Sequence, residues 1–186
     1  ESLPLTDTRN INGRVHSLVF SRECFFAIEG AKVTENGFYI ISDQFFEDFP
    51  DKYLKGNKTE SRPHYYAFRD KRTGLFWVIP MSSRVDKYKQ IISRREAMHK
   101  PCHILHIAKL DNGEESVFLI QDMFPITEKY VLREYTLGAN HFKVTSETLA
   151  KIINKKAKNV LNLLKRNVKF SPTQPDVLKI ERELLK

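Results

Sequence analysis

Arg62-Pro63-His64-Tyr65-Tyr66-Ala67-Phe68-Arg69 runs into Asp70-Lys71-Arg72-Thr73-Gly74 and out again through Leu75-Phe76-Trp77-Val78-Ile79-Pro80-Met81-Ser82-Ser83-Arg84. His64–Arg69 and Leu75–Ile79 have the aromatic and β-branched composition of strands, and the turn between them sets Gly74 where a positive φ is wanted. The stretch predicts an antiparallel hairpin. Pro80 is expected to end the second strand and Ser82 or Ser83 to cap a helix from about Val85 to Ala97.

Downstream, a second hairpin joins His103–Leu110 to Ser116–Gln121 through Asp111-Asn112-Gly113-Glu114, Asn-Gly being a strong hairpin signal. Thr127–Tyr135 alternates as a strand does, although Glu128, Leu132 and Tyr135 also fit a helix. Thr145 or Ser146 caps a long amphipathic helix from Glu147 to about Asn167, with Leu149, Ile152, Ile153, Val160, Leu161 and Leu164 at helical spacing. Its other face carries Lys151, Lys155, Lys156, Lys158, Lys165 and Arg166, which fit a phosphate track or a solvated face. Upstream, Phe38–Ser42 reads as a strand and Asp43–Phe49 as a short aromatic helix. Residues 50–62, with Lys52, Lys55 and Lys58, read as an exposed basic loop. Val15–Phe20 and Cys24–Glu29 suggest a further hairpin. The organisation expected is an extension over 1–37, a domain over 38–170, and a linker and terminal helix over 171–186. The class is α+β with antiparallel pairing.

The 186 residues suffice for one domain with a core, and 31 Lys+Arg against 23 Asp+Glu give a net charge of +8. Such a balance favours a polyanionic partner, nucleic acid ahead of an anionic membrane. Cys24 and Cys102 belong to no CxxC or Cys/His set, which fits a reducing cytoplasm and gives no zinc site. With no apolar run of roughly 18 residues, a soluble protein is expected.

The sequence has no GxxxxGK[ST], GxGxxG, HExxH or GxSxG, and no acidic cluster at metal-binding spacing, so a metal-free chemistry without a cofactor is preferred. Pro80–Tyr88 sets two hydroxyls and two cations at a strand-to-helix junction, an arrangement suited to a phosphodiester, or else a plain helix cap. Arg62-Pro63-His64-Tyr65-Tyr66 offers a proton-exchanging imidazole and rings able to stack on bases. His103 and His106 are three apart on an expected strand and hence on opposite faces. A DNA-binding domain ranks low, since no helix-turn-helix or zinc-finger spacing is present.

Gly37-Phe38-Tyr39-Ile40-Ile41-Ser42, Arg62–Tyr66, Ile79–Tyr88 and Leu119-Ile120-Gln121-Asp122-Met123-Phe124-Pro125-Ile126 form an ordered set. In order and spacing it resembles the ToxN/AbiQ family of type III toxins, nearest the CptN branch. The resemblance covers roughly Phe38 to Arg166. It implies a compact antiparallel β-barrel-like core, similar to MazF-like toxins, with helices around it. It also implies a metal-independent, sequence-selective endoribonuclease that leaves 2′,3′-cyclic phosphate ends. Such toxins are inhibited by a repeated RNA pseudoknot that they process, and oligomerise through it. The hydroxyl pair of the family motif falls on Ser82 and Ser83, with Arg84 and Lys87 as nearby cations. Val85 stands where family members with Pro-Lys place the lysine, so the phosphate cation is Arg84 or Lys87. His64 and Tyr39 are further acid/base or stacking candidates. Lys52, Lys55, Lys58, Arg62, Tyr65, Lys151, Lys155 and Lys158 are candidates for RNA grip. The alternative is a non-catalytic RNA-binding regulator using the same groove.

Overall fold

The computed structural model describes residues 33–99 and 102–186. The hairpin expected at Val15–Phe20 and Cys24–Glu29 lies outside them. In chain order the elements are β1 (Phe38–Ile41), α1 (Asp43–Asp48), β2 (Pro63–Arg69), β3 (Phe76–Ser82), α2 (Val85–Ala97), β4 (His106–Lys109), β5 (Glu115–Phe118), β6 (Phe124–Ile126), β7 (Val131–Glu134), β8 (Thr136–Leu137), β9 (Asn140–His141), α3 (Glu147–Leu164) and α4 (Val177–Leu184). Thr127–Tyr135 resolves into a short 3₁₀ helix, Glu128–Tyr130, followed by β7.

β2 and β3 form the expected hairpin, with Gly74 at φ 73 in its turn, and the sheet grows from it. Seven strands, all antiparallel to their neighbours, take the order β4-β5-β3-β2-β1-β7, with β6 also beside β3. Among the described residues β4 and β7 stay unpaired with each other, so the sheet is open, where a barrel-like core was expected. It branches instead of closing: the outer edge of β3 pairs with β6 at Phe76–Val78 and with β5 at Met81 and Ser82. Pro80 sits in the gap between those partners, where its missing N–H interrupts no ladder and its carbonyl accepts from the Leu119 N–H at 3.1 Å. The strand therefore continues to Ser82 and does not stop at Pro80.

Five consecutive residues of β2, His64 to Phe68, are buried, as in a strand covered on both faces. Trp77, Tyr39, Tyr65, Phe38, Phe45, Phe118 and Phe124 are the largest fully buried side chains. α3 begins at Ser146, whose hydroxyl accepts from the Leu149 N–H at 3.3 Å. It buries Ala150, Ile153, Ala157, Val160, Leu161 and Leu164 against the sheet, each aliphatic side chain of Val or Leu size worth roughly 1.5–3 kcal/mol. Ile152 is 41% exposed, because the stripe is completed by the two alanines. No helix among the described residues is long and apolar enough to cross a membrane.

Among the described glycines, Gly37, just before β1, has the tightest surroundings. A Cβ there would lie 2.6 Å from the His141 Cε1. That ring is held by Phe38 carbonyl oxygen at 3.0 Å from Nε2 and by Glu134 Oε1 at 3.0 Å from Nδ1. Gly37→Ala is expected to cost about 1–3 kcal/mol of unfolding free energy in urea titrations, with His141→Ala in the same chain recovering part of it. An alanine variant as stable as the parent would refute this account.

Candidate active site

β3 ends at Ser82 and α2 begins at Val85, leaving Ser83 and Arg84 between them. The cap expected from Ser82 or Ser83 does not form. Ser82 is still in the strand, so its hydroxyl accepts from the Arg84 N–H at 3.2 Å, one step ahead of the helix. The N-cap residue is Arg84, and it makes no side-chain capping bond. The first N–H groups of α2 thus lack a protein side chain, and the partial positive charge of a helix start remains there. Ser83, Arg84 and Lys87 are exposed around it and Ser82 is half-buried. The Lys87 ammonium lies 5.6 Å from the centre of the Tyr88 ring, which is buried below.

Two neighbouring segments bring charge under this junction. His64 lies opposite Pro80, and the same antiparallel register carried two residues further brings Arg62 level with Ser82. Arg62 is half-buried, and its Nε and Nη1 are buried without a hydrogen-bond partner. Asp122 closes a short 3₁₀ helix after β5, is 5% exposed, and forms an ion pair with Lys55. Burial draws the Arg62 pKa below its ordinary value; Tyr88 and Asp122 oppose that shift and the Arg84 charge adds to it.

The loop before Arg62 is anchored, against the expectation of a freely exposed segment. Asn57 is 2% exposed and its side-chain amide donates to the Ile41 carbonyl. The Asn57 carbonyl accepts from Ser61 N–H at 3.1 Å and Arg62 N–H at 3.0 Å. Between them Lys58, Thr59 and Glu60 have φ of 52°, 55° and 54°, a left-handed turn costing about 1–2 kcal/mol per residue. Lys52 and Lys58 stay exposed, whereas Lys55 turns to Asp122.

The remaining candidates lie elsewhere. His64 has no exposed surface and packs against Phe124, ring centres 5.4 Å apart; burial, then the Arg62 charge, lowers its pKa to about 3. It cannot exchange protons with a bound substrate from there. Tyr39 is buried with its hydroxyl oxygen accepting from Thr34 N–H at 2.7 Å, and Tyr65 is buried with its hydroxyl donating to Asn36 Oδ1 at 2.9 Å. Burial raises the pKa of both. Neither ring is free to stack on a base. The physical reason is the covering of both sheet faces, which removes the exposed face that alternation implied.

The cations of α3 do not converge on the junction. Lys158 lies 5.7 Å from the Phe68 ring centre and Lys165 contacts Asp70, both at the far end of the hairpin. Lys151 pairs with Glu147 at 3.1 Å, and Lys155 is exposed. Lys156 turns inward to the carbonyls of Cys102 and Leu105 at 3.0 and 3.1 Å and to His106 Nδ1 at 3.3 Å. His103 lies outside β4, so the two histidines do not share the strand expected for them. Sequence reasoning missed Asp122. Its signal was an ionisable residue within the apolar run Leu119–Ile126.

Solved structures share this overall fold. AbiQ, a lactococcal anti-phage endoribonuclease of the type III toxin–antitoxin system, superposes with a TM-score of 0.63 at 10% identity, covering 81% of this chain and 96% of AbiQ. A structure from a bacterial antiviral system regulated by a processed non-coding RNA superposes with a TM-score of 0.55 at 17% identity, covering 81% and 99%. No protein-family model and no curated protein sequence matches the chain. The protein has the AbiQ fold.

The buried His64 makes stability depend on pH. Its folded pKa, about 3, lies below the ordinary 6.5, so the unfolded chain takes up the proton first. The stability is whole above pH 6.5 and is lost as pH falls toward 3. Between pH 7 and pH 5 the parent should lose about 2 kcal/mol more than His64→Leu in urea unfolding. Equal losses in both proteins would refute the burial of a neutral imidazole.

Proposed function

We propose that the protein is a sequence-selective endoribonuclease toxin of the type III toxin–antitoxin kind, nearest the CptN branch in its motif order. The observation that carries the reading is the junction itself: exposed Ser83, Arg84 and Lys87 around an uncapped helix start, with half-buried Ser82 beneath, in a fold shared with AbiQ. Ser82 and Ser83 hydrogen-bond the non-bridging oxygens of the scissile phosphate, and Arg84 and Lys87 offset the charge that builds on it.

In this reading the RNA is cut without a metal. The 2′-oxygen attacks phosphorus, the bond to the 5′-oxygen breaks, and the 2′-hydroxyl proton leaves as the 5′-oxygen gains one, giving a 2′,3′-cyclic phosphate and a 5′-hydroxyl. Exposed Lys52 and Lys58 lead the strand toward the site, while Lys151, Lys155 and Lys158 hold more distant RNA. The inhibitor is a repeat-derived RNA pseudoknot that the toxin processes and through which it oligomerises in the cytoplasm, and the substrates are cellular or phage transcripts.

A second reading, an RNA-binding regulator without catalysis, gains support from the burial of His64 and Tyr39, the two expected proton carriers. Single-turnover incubation with A-rich RNA separates the readings, because a binder leaves the RNA intact. For the toxin, cleavage proceeds at the same rate in EDTA, and Ser83→Ala or Lys87→Ala slows it by roughly 100-fold with unchanged melting temperature. Parent-level cutting by either variant in EDTA would remove that residue from the site.

A further inference from the structure

We propose that Arg62 is the cation that grips the RNA phosphate at the junction, delivered there by the left-handed turn Lys58–Glu60. The inference rests on the endoribonuclease reading only for the fate of that phosphate, not for its capture. It answers a question that Val85 leaves open, namely which basic side chain takes the place of a lysine two positions beyond the hydroxyl pair.

Three observations converge on Arg62. By register it comes level with Ser82, the half-buried hydroxyl of the pair, so its guanidinium approaches from the neighbouring strand and not from α2. Its Nε and Nη1 are buried and unpartnered, although a buried N–H of a charged group ordinarily finds an acceptor. Phosphate oxygens are acceptors of the kind these N–H groups lack. Lys87 approaches the junction from the other side, exposed on the first turn of α2 and 5.6 Å from the Tyr88 ring centre.

The charge count agrees. Asp122 is the carboxylate buried beneath the junction, and it is already in an ion pair with Lys55. The Arg84 charge therefore adds to the cost of keeping Arg62 charged, and the one carboxylate that opposes this is already taken by a lysine. Asp86, in the first turn of α2, is exposed and influences Lys89, while Glu60 accepts from the Asp43 N–H at 3.2 Å. A dianionic or monoanionic phosphoryl group relieves this repulsion, whereas a neutral ligand does not.

The backbone before Arg62 is built for placement. Three successive non-glycine residues stay left-handed because Asn57 is fixed at both ends, by its side chain to Ile41 and by its carbonyl to the N–H groups of Ser61 and Arg62. Strain held in this way by buried hydrogen bonds is characteristic of segments that must present one side chain in one place. The turn ends one residue before Arg62.

The test uses the full chain, with a random-sequence RNA pool for cleavage and the same pool in 2′-deoxy form, which cannot be cut, for binding. Arg62→Met should lower the single-turnover cleavage rate roughly 100-fold, and Arg62→Lys should recover part of it. For the uncleavable pool, Arg62→Met should weaken binding and reduce the slope of log affinity against log salt by about one. Lys179→Met, on α4, serves as the remote control and should leave the cleavage rate within about threefold. Melting temperatures for all variants identify a failure to fold, in which case Arg62→Lys carries the comparison. If the parent leaves every RNA intact, the endoribonuclease reading falls and the binding arm alone judges Arg62. Unchanged binding and salt slope in a folded Arg62→Met, or parent-level cleavage, overturns the assignment.

Discussion

A strand buried on both faces can offer chemistry only at its ends, and β2 is such a strand. From His64 to Phe68 every side chain is enclosed: His64 packs on Phe124, Tyr65 on the opposite face packs on Phe118, and α3 lies against the strand. This constraint fixes what the rest of the molecule does. Aromatic rings that would suit stacking on exposed bases become core, a histidine is held neutral, and the hydroxyls of Tyr39 and Tyr65 are committed to Thr34 and Asn36. What the ends of β2 carry are two arginines, half-buried Arg62 before its first residue and exposed Arg69 at its last. Function must gather where the strands stop, which for β2 and β3 together means the Arg62–Ser82 end.

At that end the electrostatics follow from a single carboxylate. Burying Asp122 without a cation would be costly, and Lys55 reaches across from the loop to meet it. The same carboxylate steadies Arg62, yet it cannot neutralise Lys55, Arg62 and Arg84 together. The junction is left electropositive in a setting where part of the charge is shielded from water, so an incoming anion is felt more strongly than at an open surface. Ser82 and the uncapped start of α2 add directional donors to that field.

Local signals made much of the fold legible. Gly74 with its flanking aromatic runs, Asn112-Gly113, and Ser146 ahead of a helical stripe each specify an element through chemistry confined to a few residues, and the elements stand where those residues place them. The limits of α2, Val85–Ala97, also agree, although the capping residue does not. What stayed hidden was non-local. Whether Tyr65 sees water depends on which layers cover β2, and whether Pro80 breaks a strand depends on β3 exchanging one partner for another at that residue. Closure of the sheet is of the same kind, since it depends on edge strands far apart in sequence. The candidate site divides the same way: Ser82–Arg84 is contiguous and readable, while Arg62, Lys55 and Asp122 meet only through the register of three segments.

The net charge of +8 takes on structure once partners are assigned. The turn end of the hairpin lies roughly 20 Å from Ser82 at the usual rise of a seven-residue strand. Lys165 bridges Asp70 at 3.4 Å and Glu181 at 3.2 Å, joining the turn to α3 and α4. Lys156 binds carbonyls in the interior, and Lys151 and Lys179 each pair with a glutamate one turn along. Lys165 and Lys156 hold elements together, whereas the pairs of Lys151 and Lys179 each lie within one helix. At the other end Arg62 keeps buried N–H groups without acceptors and Arg84 sits at a helix start it does not cap. A cation with a carboxylate in contact contributes little to capturing an anion, because the ligand must first displace the partner. Where that partner is lacking, capture costs only desolvation. The distinction between structural and functional charge in this protein is therefore set by acceptors.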